Sequence, residues 1–320
     1  MFRLRPRTLL EEVLEGYEPH EPELDPPFEV IEPARLSSAL VFSSPHSGNI
    51  YPRRFLEWAR LDEAALSRSG DAYVDQLFHG VTALGAPLIK ARFPRAYLDL
   101  NREPFELDPS MFEGPLPPYA NTRSLRVAGG LGTIARVAAQ AEEIYARRVP
   151  VEEAVARIEK LYKPYHGCLS RLIQRAQRHF GIAVLVDCHS MPSAIWRPGQ
   201  APPGGLAPPP QRPEIVLGDR FGTSCGAHLV NAIEAELCGL GYIVQRNRPY
   251  AGGHITESYG KPADGCHAMQ IEISRALYMD ESELRPNGRF GTVAADLIKA
   301  ATALAEAAAT HLSRRRSAAE

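Results

Sequence analysis

Short apolar runs alternate along this chain with stretches whose apolar residues recur at helical spacing, and this alternation constrains the fold more than any other feature. The runs are ALVFSS (39–44), PLIKARF (87–93), AYLDL (96–100), IAVLVD (182–187), EIVLGD (214–219), GYIVQR (241–246) and MQIEIS (269–274), and each reads as a strand. Between them, Tyr73, Val74, Leu77, Phe78, Val81 and Leu84 fall on one helical face. Asp71, after Gly70, is placed to be that helix's N-cap. The longest stripe runs from Val151 to Phe180 through Val155, Ile158, Leu161, Tyr162, Tyr165, Leu169, Leu172 and Ile173, with a kink expected at Pro164. Cys225–Leu240 and the Ala-rich ADLIKAATALAEAAATHL complete the helices. The expected fold is α/β, a mixed and mostly parallel sheet flanked by helices. No composition shift marks a boundary, so residues 38–320 read as a single domain. Residues 1–37, rich in Pro and Glu, read as an extended arm packed on it.

Charge and cysteine usage exclude several classes of function. The formal net charge of −2 over 320 residues provides no basic field for a polyanion, which argues against nucleic acid. No segment approaches the roughly 20 apolar residues of a membrane span. Five dispersed cysteines without a CxxC pair point to reduced thiols and a cytoplasmic protein. The oligomeric state has no signature here.

Chemistry is expected where apolar runs end in polar clusters, since open α/β sheets collect reactive groups beyond the carboxyl ends of their strands. ALVFSS runs into Pro45-His46-Ser47-Gly48, IAVLVD into Asp187-Cys188-His189-Ser190, and AYLDL into Asn101-Arg102. His20, His79, His166, His179 and His311 lie in the arm or in helical stretches and read as structural. His46 and His189 follow strands directly, so they can converge on one metal. A hydrolytic zinc site takes three N/O ligands and keeps a water, which leaves one carboxylate to find. Asp71 and Asp75, one turn apart on the expected helix, are both open as that ligand. Asp75 can equally be a partner that orients an imidazole, and so can Asp187, although an extended chain is expected to point Asp187 to the other side from His189. Glu272, in an otherwise apolar strand, is the candidate base; a salt bridge with Arg275 or a solvated edge strand is its plain alternative. Arg102, with Asn101, suits a substrate carboxylate, and Arg95 and Arg123 are further cations near the same loops. NRPYAGGHITESYG (247–260) couples a Gly-rich turn to Tyr250, Gly253 and Thr256, where backbone can approach a ligand closely.

Taken in order, SSPHSG (43–48), DAYVDQLF (71–78), RAYLDLNR (95–102), GGLGTI (129–134), LVDCHSMP (185–192), LGDRFGTSC (217–225), NRPYAGGHITESYG and MQIEISRALYMDE (269–281) resemble the N-formylglutamate amidohydrolase family. That resemblance implies a fold similar to the zinc carboxypeptidases. It also implies one zinc ion and hydrolysis of a formyl amide to formate and an amino acid, usually glutamate, in histidine breakdown. It marks His46 and His189 as metal ligands, Glu272 as the catalytic glutamate and Asn101-Arg102 as the carboxylate-binding pair. Carboxypeptidases carry HxxE at the first motif, whereas Asn49 stands three residues after His46. The third ligand is then expected to be Asp71, with Asp75 the alternative. Arg123, Arg248 and Arg275 are all candidates for a side-chain carboxylate of the substrate. Two other readings stand beside this one. The first is a deacylase or peptidase acting on other N-acyl amino acids. The second is a non-catalytic small-molecule binding protein that has lost its metal.

Overall fold

The computed structural model describes residues 21–195 and 212–317. Most of the arm and most of the Pro-rich stretch 193–213 fall outside them. The chain divides into two compact units, each assembled from three segments. One takes the described residues up to Phe28 with Gly48–Gly70 and Ala91–Cys168; the other takes Glu29–Ser47, Asp71–Lys90 and the chain from Leu169 onward.

The second unit is built on a seven-stranded sheet. Its strands are β1 (Phe28–Ile31), β2 (Leu40–Ser44), β3 (Leu88–Ala91), β4 (Ala183–Met191), β5 (Ile215–Gly218), β6 (Val244–Arg246) and β7 (Cys266–Ser274). They lie in the order β1-β3-β2-β4-β7-β5-β6. The pairs β2–β3, β2–β4, β4–β7 and β5–β6 are parallel, and β5 runs antiparallel to β7. This is the mixed, mostly parallel sheet expected.

Alternation along β4 and β7 sorts their residues onto two faces. Val184, Val186 and Cys188, with Met269, Ile271 and Ile273, join Phe42, Ile215 and Leu217 in the main core. Each large aliphatic side chain buried there contributes about 1.5–3 kcal/mol. The opposite face carries Asp187 and His189, paired in register with Gln270 and Glu272. Helices cover the apolar face. From α3 (Ala227–Gly239) come Leu229, Val230, Ile233 and Leu237, and from α5 (Phe290–Ser317) come Val293, Leu297, Ala300, Ala301, Leu304 and Ala308, at spacings of three and four. The remaining helices of this account are α1 (Val74–Leu77), α2 (Lys163–Phe180) and α4 (His254–Tyr259). Among the described residues no helix is long and apolar enough to cross a membrane.

Several local expectations are corrected. β4 does not end at Asp187 but continues through His189 to Met191, so His189 is a strand residue and not a loop residue. The helix expected from Asp71 to Leu84 is the short α1 followed by a 3-10 segment, His79–Leu84. Tyr73, in the left-handed region at φ 65°, turns the chain into α1, so Asp71 is not its N-cap. AYLDL is a turn: the Tyr97 and Leu98 N–H groups both donate to the Pro94 carbonyl, and Asp99 accepts from the Asn101 N–H at 2.8 Å. The break near Pro164 takes the form of a π-helical segment, Ile158–Tyr162, between Val151–Arg157 and α2.

The first unit has shorter elements, including a parallel pair, Phe112–Glu113 with Val149–Pro150. Phe55, Tyr97 and Tyr145 form an aromatic cluster, with ring centroids 5.3 Å apart for Phe55–Tyr97 and 5.8 Å for Phe55–Tyr145. Beside it Arg157 Nε donates to Glu153 Oε1 at 2.7 Å, and the guanidinium stacks 3.7 Å above the Tyr97 ring.

Candidate metal centre

β2 delivers the first histidine. Past Ser44 the chain turns at Pro45, and the Ser44 and Ser47 hydroxyls meet at 2.6 Å to close that turn. The Asp71 N–H then donates to the His46 carbonyl at 2.9 Å, which pins one loop to the other. The second histidine comes from β4, the neighbour of β2 in the sheet.

His46, Asp71 and His189 are all buried, and one ligand atom from each lies within 4.8 Å of the others. Asp71 Oδ2 is 3.3 Å from His46 Nδ1 and 3.0 Å from His189 Nδ1. The two imidazole centroids are 4.8 Å apart. The other carboxylate oxygen of Asp71 accepts from Ser190 Oγ at 3.1 Å and from Arg275 Nη2 at 3.4 Å, while Arg275 Nε donates to Ser190 Oγ at 3.2 Å. Behind His189, Nε2 meets Asp187 Oδ2 at 2.8 Å, and Ser43 Oγ donates to Asp187 Oδ1 at 3.4 Å.

The electrostatics follow from this wiring. Burial by itself raises the Asp71 carboxyl, but hydrogen bonds from His189 and His46 hold it well below the usual carboxylate range. Burial would lower His189, yet the charge and hydrogen bond of Asp187, with the hydrogen bond of Asp71, push it well above an ordinary imidazole. A metal ligand has to be deprotonated, so a cation bound here takes the place of a proton shared by this cluster. Two imidazole nitrogens and one carboxylate oxygen facing a common centre, with the far nitrogen of one imidazole anchored by a second carboxylate, fit a divalent ion of the zinc type.

Glu272 lies directly across the β4–β7 ladder from His189 and is 6% exposed. It sits on an interior strand, so the edge-strand reading does not apply. The Gln270 amide donates to Glu272 Oε1 at 2.6 Å, and Gln270 Oε1 accepts the Gly253 N–H at 2.8 Å. Arg275, expected as a partner of Glu272 or of a substrate carboxylate, points its guanidinium at Asp71 and Ser190. Asp75 is engaged elsewhere, accepting from Lys90 Nζ at 3.0 Å, and is not part of the His46–Asp71–His189 cluster. Asp187 does not point away from His189. Residues two apart share a face of a strand, and here they are hydrogen-bonded.

The Gly-rich turn makes its close approaches within the protein. A Cβ on Gly252, at φ 118°, would lie 2.5 Å from Thr256 Oγ1, and that hydroxyl donates to the Gly253 carbonyl at 2.8 Å. Tyr250 is half-buried. Asn101, Arg102, Arg95 and Arg123 belong to the first unit. There Arg102 donates from Nε to the Leu131 carbonyl and from Nη1 to the Asn101 carbonyl, both at 2.8 Å, with Nη2 3.6 Å from Asp99. Arg95 donates to the same Asp99 at 2.7 Å, and Arg123 is exposed. These contacts make Arg102 a clamp on its own loops. Ser190 and Gln270 carry no role that the sequence makes legible. Ser190 lies beside His189, and Gln270 two residues before Glu272 on the same face, which is the local signal for each.

The sequence profile of the family described as N-formylglutamate amidohydrolase matches residues 38–279. The N-formylglutamate deformylase of Pseudomonas putida is 30% identical over 252 residues, covering 76% of this chain and 83% of that protein. Its namesake in Pseudomonas aeruginosa is 29% identical, covering 79% and 86%. A crystal structure of N-formylglutamate amidohydrolase from Ralstonia eutropha superposes with a TM-score of 0.78 at 35% identity, covering 90% of this chain and 99% of that one. A protein from Agrobacterium tumefaciens, at a TM-score of 0.60 and 20% identity, shares the fold.

Proposed function

Since the chain belongs to the N-formylglutamate amidohydrolase family, we propose that it hydrolyses N-formyl-L-glutamate to L-glutamate and formate with the help of a zinc ion held by His46, Asp71 and His189. The observation that carries this reading is the convergence of one ligand atom from each of those three side chains within 4.8 Å, with His189 directly across the sheet ladder from Glu272. When bound, zinc supplies a Lewis acid for the formyl carbonyl and lowers the pKa of a coordinated water toward neutrality.

The chain's own residues do the rest. Glu272 accepts the proton of the attacking water and returns it to the departing amine nitrogen, as a general base and then a general acid. Its carboxylate is held for that transfer by the Gln270 amide. Asp187 fixes the His189 ring, so that Nδ1 faces the centre. Ser190 and Arg275 hold Asp71 from behind and leave its other oxygen facing the two imidazoles. The buried setting excludes bulk water from these transfers.

The test is Glu272→Gln, assayed by formate release and by zinc content. Turnover is expected to fall by about 10²–10⁴-fold, the usual contribution of a general base, while zinc stays bound at one per chain. Normal turnover in this variant overturns the role of Glu272. A wild-type protein that is metal-free and inert toward N-formyl-L-glutamate overturns the whole reading.

A further inference from the structure

Asp71 turns one carboxylate oxygen to the imidazoles and has the other tied down. Oδ2 lies 3.3 Å from His46 Nδ1 and 3.0 Å from His189 Nδ1. Oδ1 accepts from Ser190 Oγ at 3.1 Å and from Arg275 Nη2 at 3.4 Å. Arg275 Nε donates in turn to Ser190 Oγ at 3.2 Å, so guanidinium, hydroxyl and carboxylate oxygen close a triangle. A serine hydroxyl has one proton to give and lone pairs to accept with. Here the proton goes to Asp71, and Arg275 is the donor that Ser190 accepts from. Asp71, Ser190 and Arg275 are all buried. The backbone beside Asp71 is held as well, since the buried Tyr278 donates its hydroxyl to the Ala72 carbonyl at 3.0 Å. Both supports come from the strands that carry the site. Ser190 follows His189 in β4, and Arg275 follows the last residue of β7, three residues after Glu272.

We propose that Arg275, acting with Ser190, is a positioning residue that confines Asp71 to one ligand oxygen and so sets which divalent ion the site prefers. The inference rests on the metal site of the function proposed above. A carboxylate with both oxygens free can chelate an ion, which adds a ligand and suits larger, oxygen-seeking ions such as manganese. With Oδ1 held, Asp71 has one oxygen left to offer. Two imidazole nitrogens, that oxygen and a water make up the four-coordinate set of a catalytic zinc. Arg275→Lys keeps the charge but loses the planar fork that reaches Ser190 and Asp71 together. The guanidinium also has a cost, because its charge beside a ligand weakens the hold on every divalent ion to a similar degree. Only the confinement of Asp71 discriminates between ions.

The experiment uses the full-length chain, stripped with a chelator and titrated separately with zinc, manganese and cobalt. The wild type is compared with Arg275→Met, Arg275→Lys and Ser190→Ala. One readout is the ratio of zinc to manganese affinity, in which the shared effect of the guanidinium charge cancels. The other is the visible absorption of the cobalt-loaded protein, which is strong for a four-coordinate ion and weak for a six-coordinate one. The ratio is expected to fall about 10- to 100-fold in Arg275→Met and by less in Ser190→Ala, with partial recovery in Arg275→Lys. The cobalt absorption should weaken in the same order. Should Arg275→Met fail to fold, Ser190→Ala and Arg275→Lys carry the test, since both keep a positive charge at position 275. Equal shifts for zinc and manganese with an unchanged cobalt spectrum overturn this inference and leave the proposed function standing. A wild-type chain that binds none of the three ions overturns the proposed function and this inference with it.

Discussion

Asp187 and His189 stand two residues apart on one face of β4, with Asp187 Oδ2 2.8 Å from the far nitrogen of the imidazole whose near nitrogen faces Asp71. This contact decides which ring nitrogen is turned to the candidate metal centre, and it keeps the ring from rotating. Asp187→Asn preserves the volume and removes the charge. Zinc affinity, measured by chelator competition, is expected to fall about 10- to 100-fold, the usual effect of losing such a supporting carboxylate. An unchanged affinity would mean that Asp187 serves only the strand.

How much of this site is legible in the sequence depends on the kind of contact. His46 and His189 stand out because each follows a buried apolar run, and those runs form adjacent parallel strands. The family resemblance favours Asp71 over Asp75, but the contacts that set Asp71 beside His46, the backbone hydrogen bond from the Asp71 N–H to the His46 carbonyl and the left-handed turn at Tyr73, have no local signal in the sequence. The turn at AYLDL is masked by its composition, although Pro94 signals it. Arg275 finds Asp71 across 204 residues, a pairing that no local pattern encodes. The two units are equally hidden, since segments that alternate between them leave no step in composition.

Arg157 and Glu153 pair at 2.7 Å with both side chains almost wholly buried. Arg157 also donates to the Tyr145 hydroxyl at 2.8 Å and to the Tyr97 carbonyl at 3.0 Å. Arg157→Met leaves Glu153 charged and uncompensated in the interior, which costs about 3–5 kcal/mol. Denaturant unfolding should show a loss of that size. A loss below about 1 kcal/mol would show that Arg54, 3.8 Å from Glu153, takes over the charge.

Glu21 titrates late. Burial first, and then the charge of Glu153, raise its carboxyl from 4.5 to about 7. Between those two values the folded protein keeps a proton that the unfolded chain has released, so stability falls as pH rises through that window. Glu21→Gln mimics the protonated form. Its Tm should exceed that of the wild type near pH 8 and approach it near pH 4.5. A constant difference in Tm across that range would rule out Glu21 as the source of the slope.

Gly218 ties the turn around Gly252 to Glu272, the proposed base. It is paired with Gln270 across the antiparallel β5–β7 ladder, and a Cβ placed on it would lie 2.7 Å from the Ala251 carbonyl carbon and the Gly252 nitrogen. Both obstacles are backbone, so the clash cannot be relieved by a change of rotamer. Gly218→Ala should displace residues 251–253 and break the Gly253-to-Gln270 hydrogen bond, loosening the amide that positions Glu272. Overpacking of this kind costs about 1–3 kcal/mol of stability. The decisive readouts are amide exchange and kinetics. The Gly253 N–H should exchange faster, and kcat should drop more than KM changes, because the disturbed group is the one proposed for proton transfer rather than for substrate binding. If exchange at Gly253 speeds up while kcat stays at the wild-type level, Glu272 holds its position without Gln270.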